Sequence, residues 1–175
     1  MTAHLVITLV AEDKPGLVET LSQTIADHAA SWQESRMARM AGQFAGILLV
    51  DAPQANTKAL TSAVNALTSQ GIYAQIKQCD RKLTPQKQQK YQLNLVGNDR
   101  PGIVKEMSQV LATRGINVEE LNTECKGAPM SGGMMFHATA LLQLPENTDP
   151  DSITEELESL ANDFMVDISR KTNDE

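Results

Sequence analysis

The chain has 175 residues, of which 41% are hydrophobic, 21% charged and only 3% aromatic, and its formal net charge is −7. That length fits one domain or two small ones, and so few aromatics call for an aliphatic core. An acidic chain with no basic face argues against direct binding to nucleic acid, because phosphate neutralisation supplies most of that affinity.

Residues 4–11 form an apolar run of strand length, followed by a polar turn. A helical pattern comes next, with Leu17, Leu21, Ser22 and Ile25 at i, i+4, i+5 and i+8. Residues 36–52 read as two strands joined by a tight turn at Ala41-Gly42. Residues 54–72 read as a second helix, with Leu60, Val64 and Leu67 on its apolar face and Gly71 as its stop. Residues 72–80 close the series as a strand. Residues 81–90, a Gln/Lys mixture with Pro85, read as a linker.

The series then starts again. Residues 91–97 are strand-like, and Ile103, Met107, Val110 and Leu111 mark a helix face. Residues 117–127 and 132–144 read as a strand pair around a loop at 128–132. Residues 149–164 read as a helix with Asp151 or Ser152 as its N-cap. Residues 165–171 are the last strand, and 172–175 a polar tail.

Placing Asp13 on Asp99, 86 positions on (99 − 13), brings both halves into step. Each half reads β-α-β-β-α-β. Right-handed crossovers turn that order into a four-stranded antiparallel sheet with two helices on one face, the ferredoxin-like α+β plan. The expected domains are residues 1–80 and 91–172. A single α+β domain is the alternative, and the register of the repeat counts against it.

The repeated loop is Asp13-Lys14-Pro15-Gly16-Leu17 in the first half and Asp99-Arg100-Pro101-Gly102-Ile103 in the second. With a strand ending just before and a helix starting near the Pro, the Pro falls in the first helical turn. Each Asp then falls at or near the N-cap. Gly16 and Gly102 let a backbone or a ligand come close. Free N–H groups at a helix start attract a carboxylate, and a nearby Asp attracts an ammonium, a pairing that suits a small zwitterion. The same residues are also simply a good way to begin a helix, so both readings stand.

Little else suggests chemistry. His4, His28 and His137 are scattered without partners at metal-ligand spacing. Cys79 and Cys125 form no CxxC and read as reduced thiols. No nucleophile elbow or phosphate loop is present, so no enzyme and no cofactor are expected. No run is long enough to span a membrane and no secretory signal opens the sequence, so the expected location is the cytoplasm.

The loop residues carry a family resemblance. Asp99-Arg100-Pro101-Gly102-Ile103-Val104 resembles the most recognisable signature of ACT domains, regulatory βαββαβ modules that often bind amino acids. Asp13-Lys14-Pro15-Gly16-Leu17-Val18 is similar, with Lys in place of Arg. Gly115-Ile116-Asn117 matches the signature's usual continuation, whereas the first half has Ala30-Ser31-Trp32 there. The resemblance implies ligand-binding residues at both loops and at Asn117, with the second half the better site. A chain of two such domains further resembles the group of glycine cleavage system transcriptional repressors, and residues 32–50 are similar to that group's first repeat. This implies a small amino acid, glycine among the candidates, as ligand, and a transcriptional activator protein as partner. Other readings are a sensor that regulates a metabolic enzyme in trans, or a pairing module with an empty site. The exposed sheet edge in each half makes side-by-side pairing an expectation, either within the chain or between chains as a homodimer.

Overall fold

Side chains alternate across a strand, so a run with apolar residues at every second position buries one face. In the computed structural model, β1 (Thr2–Glu12) does this with Ala3, Leu5, Ile7, Leu9 and Ala11. The structure describes residues 1–79, 89–128 and 132–171. After β1 come α1 (Leu17–Ala26), β2 (Ser31–Met40), β3 (Gln43–Pro53), α2 (Thr57–Ala66) and β4 (Ile72–Cys79). The second series is β5 (Lys90–Asn98), α3 (Ile103–Thr113), β6 (Asn117–Gly127), β7 (Met134–Gln143), α4 (Pro150–Glu158) and β8 (Met165–Arg170).

The sheets have strand orders β2-β3-β1-β4 and β6-β7-β5-β8, and every pairing is antiparallel. These are two copies of the expected ferredoxin-like α+β plan. The chain divides into two compact units, Met1–Thr84 and Pro85–Glu175. Most of the expected linker, the middle of the loop at 128–132, and the tail at 172–175 lie outside the described residues.

Each unit has its own aliphatic core. In the first, Leu17, Leu21 and Ile25 of α1 and Leu60 and Val64 of α2 close over Leu5, Ile7, Leu48 and Val50. In the second, Ile103, Met107, Val110 and Leu111 of α3 and Ile153 and Leu157 of α4 close over Leu93, Leu95, Ala138 and Leu142. The repeat extends to irregularities. Register shifts between Trp32 and Glu34 in β2 and between Val118 and Glu120 in β6 fall at aligned positions. The hairpin turn sits at Ala41-Gly42 as expected. Both residues have positive φ (49° and 79°), as a two-residue turn matched to strand twist requires.

Several local expectations need correction. Ser22 is exposed, and its hydroxyl donates to the Glu19 carbonyl at 2.9 Å, so it is not part of the buried face. The pattern over residues 54–72 resolves into a 3-10 turn at Gln54–Asn56, α2, and a second 3-10 turn at Leu67–Gln70. Helix α4 ends at Glu158, well short of residue 164. Its N-cap is Asp149, whose carboxylate accepts from the Asp151 amide at 3.1 Å, not Asp151 or Ser152. Pro150 explains this: it disfavours a helical residue before it and fits the first helical position.

Candidate functional site

The two Pro-Gly loops lie where β1 runs into α1 and where β5 runs into α3. Pro15 and Pro101 do not enter the helices, and Asp13 and Asp99 are not the N-caps. The N-caps are Gly16 (φ 91°, ψ −4°) and Gly102 (φ 97°, ψ −4°), with no side-chain cap. Those angles belong to the third position of a type II turn, where Gly is favoured and the preceding position favours Pro. The Pro-Gly pair therefore reverses the chain before the helix rather than starting it.

This geometry leaves donors without intrahelical acceptors. The α3 ladder begins with the Glu106 amide donating to the Gly102 carbonyl at 3.0 Å, and the α1 ladder with Thr20 donating to Gly16 at 2.9 Å. The amides of Ile103, Val104 and Lys105, and of Leu17, Val18 and Glu19, precede those bonds. At such a place an anion is favoured by the donors and by the helix dipole together.

Each loop is anchored to the neighbouring hairpin through its Asp backbone. The Asp13 amide donates to the Gly42 carbonyl at 2.9 Å, and the Asp99 amide to the Met134 carbonyl at 2.8 Å. The side chains then diverge. In the first unit the Asp13 carboxylate pairs with Arg39 Nε at 2.5 Å, and Lys14 Nζ donates to the Gln70 carbonyl at 3.1 Å. In the second unit Asp99 meets the Cys125 thiol. That thiol is pushed up from its ordinary range, first by desolvation, then by its hydrogen bond to Asp99 and the carboxylate's charge.

Arg100 is the most constrained loop residue. Nη1 donates to Glu106 Oε1 at 2.9 Å and Nη2 to Oε2 at 2.5 Å, a two-pronged pair. The pair holds the Glu106 carboxyl below the usual carboxylate range and raises Arg100. The guanidinium also lies over the Phe164 ring, 5.5 Å from its centroid. Next to it, Asp163 Oδ2 accepts from the Asn98 amide at 2.7 Å. That bond, more than the nearby Arg100 charge, holds Asp163 below its ordinary range.

Gly97 makes room for this arrangement. A Cβ there would sit 2.4 Å from Cδ1 and 2.8 Å from Cε1 of Phe164. At the aligned place the first unit has Ala11, paired with Ile72. The second unit has thus exchanged a small–medium pair for a smaller–larger one.

Asn117 is not part of this cluster within one unit. It pairs with Gln143, as does Lys90, whereas Asn98 pairs with Met135. Eight strand residues at about 3.4 Å each separate the two levels, so Asn117 lies roughly 27 Å along the sheet from the loop. Its first-unit counterpart Ser31 pairs with Asp51 at the same end of its own sheet.

The loop residues were legible in the sequence, but their partners were not. Arg39, Glu106, Cys125, Asp163 and Phe164 were missed. Only Gly97 against Ala11 and Phe164 against Ile72 left a signal, visible once the halves are aligned. Among the described residues, no group of three or more His, Cys, Asp and Glu is placed to hold a metal, and no helix is long and apolar enough to cross a membrane.

Comparison with known proteins agrees with this geometry. The ACT domain model matches residues 3–75. No curated protein matches the chain. A crystal structure of a protein of unknown function from Galdieria sulphuraria is similar over 98% of this chain and 100% of that one, with 26% identity and a TM-score of 0.86. A crystal structure of a candidate glycine cleavage system transcriptional repressor shares the fold over 99% of each chain, with 19% identity and a TM-score of 0.73. Residues 3–75 thus match the ACT domain family, and the second unit repeats the same strand order and fold.

Proposed function

We propose that this protein senses a small amino acid, glycine first among the candidates, and represses glycine cleavage genes by contacting a transcriptional activator protein in the cytoplasm. The observation that carries the reading is the paired loop geometry: a type II turn ending on helix amides that have no intrahelical acceptor, with an Asp just before the turn, in both units. The amides suit the ligand's carboxylate and the Asp its ammonium. Asp99 is the stronger candidate, because among the described residues its side chain meets the Cys125 thiol and no cation, whereas Asp13 is already paired with Arg39. The candidate ligand residues are Asp99, Arg100, Pro101, Gly102 and Ile103, with Asp13, Lys14, Pro15, Gly16 and Leu17 as the second set. The acidic charge and the shared fold with a candidate repressor favour action through protein contact.

Asn117 lies too far along the sheet to reach the loop of its own unit, and a second copy can bring it to such a site. Strand β6 is an edge strand, exposed along its whole length. Antiparallel β6–β6 pairing in a homodimer sets the start of one strand beside the end of the other, and so brings Asn117 of one copy level with the Asp99 loop of its partner.

Calorimetric titration with each common amino acid tests the sensor, with Asp99→Ala and Asn117→Ala as controls. Heat with glycine or another small amino acid, lost in Asp99→Ala, is expected. No heat with any amino acid would sink the sensor reading, and binding that survives both substitutions would move the site elsewhere. Affinity capture from cells, followed by reconstitution with the purified partner, tests the output. A transcriptional activator is expected; a metabolic enzyme as the sole reconstituted partner contradicts the repressor role.

A further inference from the structure

The second loop already holds a carboxylate of its own. An amino acid's carboxylate would meet an arginine fork by two parallel N–H···O bonds, and Glu106 makes just that pair with Arg100, at 2.9 and 2.5 Å. The fork is held in place from below, because Phe164 underlies the guanidinium at 5.5 Å and Gly97 leaves space for that ring. The first loop has no equivalent. Position 20, aligned with 106 (106 − 86), is Thr20, and Lys14 in place of Arg100 reaches a backbone carbonyl instead.

We propose that Glu106 is the internal occupant of the second loop's anion site, so that a small amino acid enters by displacing it from Arg100. This rests on the sensor reading above. Glu106 then sets the affinity of the second loop, and the first loop, without it, answers at a different concentration. Both partners in the pair are more than a third exposed, so opening it costs little. Glu106 also sits in the first turn of α3, its Oε1 only 3.6 Å from where a Cβ on the Gly102 N-cap would lie, and a carboxylate there competes with an incoming anion for the helix start. Asp99, beside Cys125, and Asp163, beside Asn98 and near Arg100, remain in place to draw the ammonium.

The test uses the full chain, titrated with three probes and followed by amide chemical shifts in α3. Glycine carries both charges, acetate only the carboxylate, and methylammonium only the ammonium. In Glu106→Gln, glycine and acetate should bind about two- to fivefold tighter, the range in which exposed ion pairs fall. Methylammonium should bind no tighter. In an Arg100→Gln background, Glu106→Gln should give no gain. If Glu106 only staples the helix start, the substitution lowers thermal stability and leaves glycine affinity unchanged or weaker. That result, or a gain confined to methylammonium, overturns the proposal while the sensor reading stands. Absence of binding by glycine and by every other common amino acid, in every protein, overturns both.

Discussion

Gly97→Ala should damage the second unit far more than a single methyl group suggests. The new Cβ would lie 2.4 and 2.8 Å from two Phe164 ring carbons, inside any tolerated contact. Phe164 is only 6% exposed and belongs to the second core, so the ring has little free space to enter. Forcing an extra carbon into a packed core costs about 1–3 kcal/mol. The alanine offsets a few tenths of that by reducing the unfolded chain's freedom. A net loss of roughly 1–2.5 kcal/mol is expected. The first unit supplies the remedy, because it accommodates Ala11 beside Ile72. Gly97→Ala combined with Phe164→Ile should recover much of the loss, although Arg100 then loses its ring. Urea unfolding of wild type, both single variants and the double variant measures the coupling. A Gly97→Ala protein as stable as wild type, or a double variant no better than the sum of the singles, would refute the reasoning.

Asp149→Ala should destabilise the second unit by about 1 kcal/mol in the same unfolding assay, because it removes the side-chain cap of α4. Asp163 titrates below its ordinary range when folded, so its stabilising bond to Asn98 is complete above the unfolded value near pH ~4 and is lost as the pH falls through the folded value. The stability difference between wild type and Asp163→Asn should therefore be constant between about pH 6 and 8 and shrink below about pH 4. In a Cys79→Ser background, Asp99→Asn should lower the Cys125 thiol and speed its alkylation at about pH 8, because the carboxylate that accepts from it is gone. An unchanged rate would mean that Asp99 does not face the thiol.

Architecture was readable because it is written twice. Aligning Asp13 with Asp99 aligned the strands, the helix faces and even the irregularities near residues 33 and 119. The errors were local and share a cause: one residue type serves two backbone roles. Pro-Gly fits a helix start as well as a type II turn, and only the positive φ of Gly16 and Gly102 decides between them. Residues 149–164 read as one helix, but α4 stops at Glu158 and Phe164 lies beyond it, against Gly97. Site partners such as Arg39, Glu106 and Asp163 are brought in by hairpin register and strand order, and neither property shows in the spacing of charges along the chain. Asn117 is the clearest case. It belongs to the signature in sequence, yet the crossover through α3 carries it to the far end of the sheet.

The most direct test is a glycine titration of the full-length protein, read at individual backbone amides. If the loops sense amino acids, the amides of Ile103, Val104 and Lys105 shift with glycine in a saturable way, those of Leu17, Val18 and Glu19 respond with a separate affinity, and Asp99→Ala abolishes the first set. If those amides stay fixed while every common amino acid is added to saturation, the loops are helix starts and the sensor function is wrong.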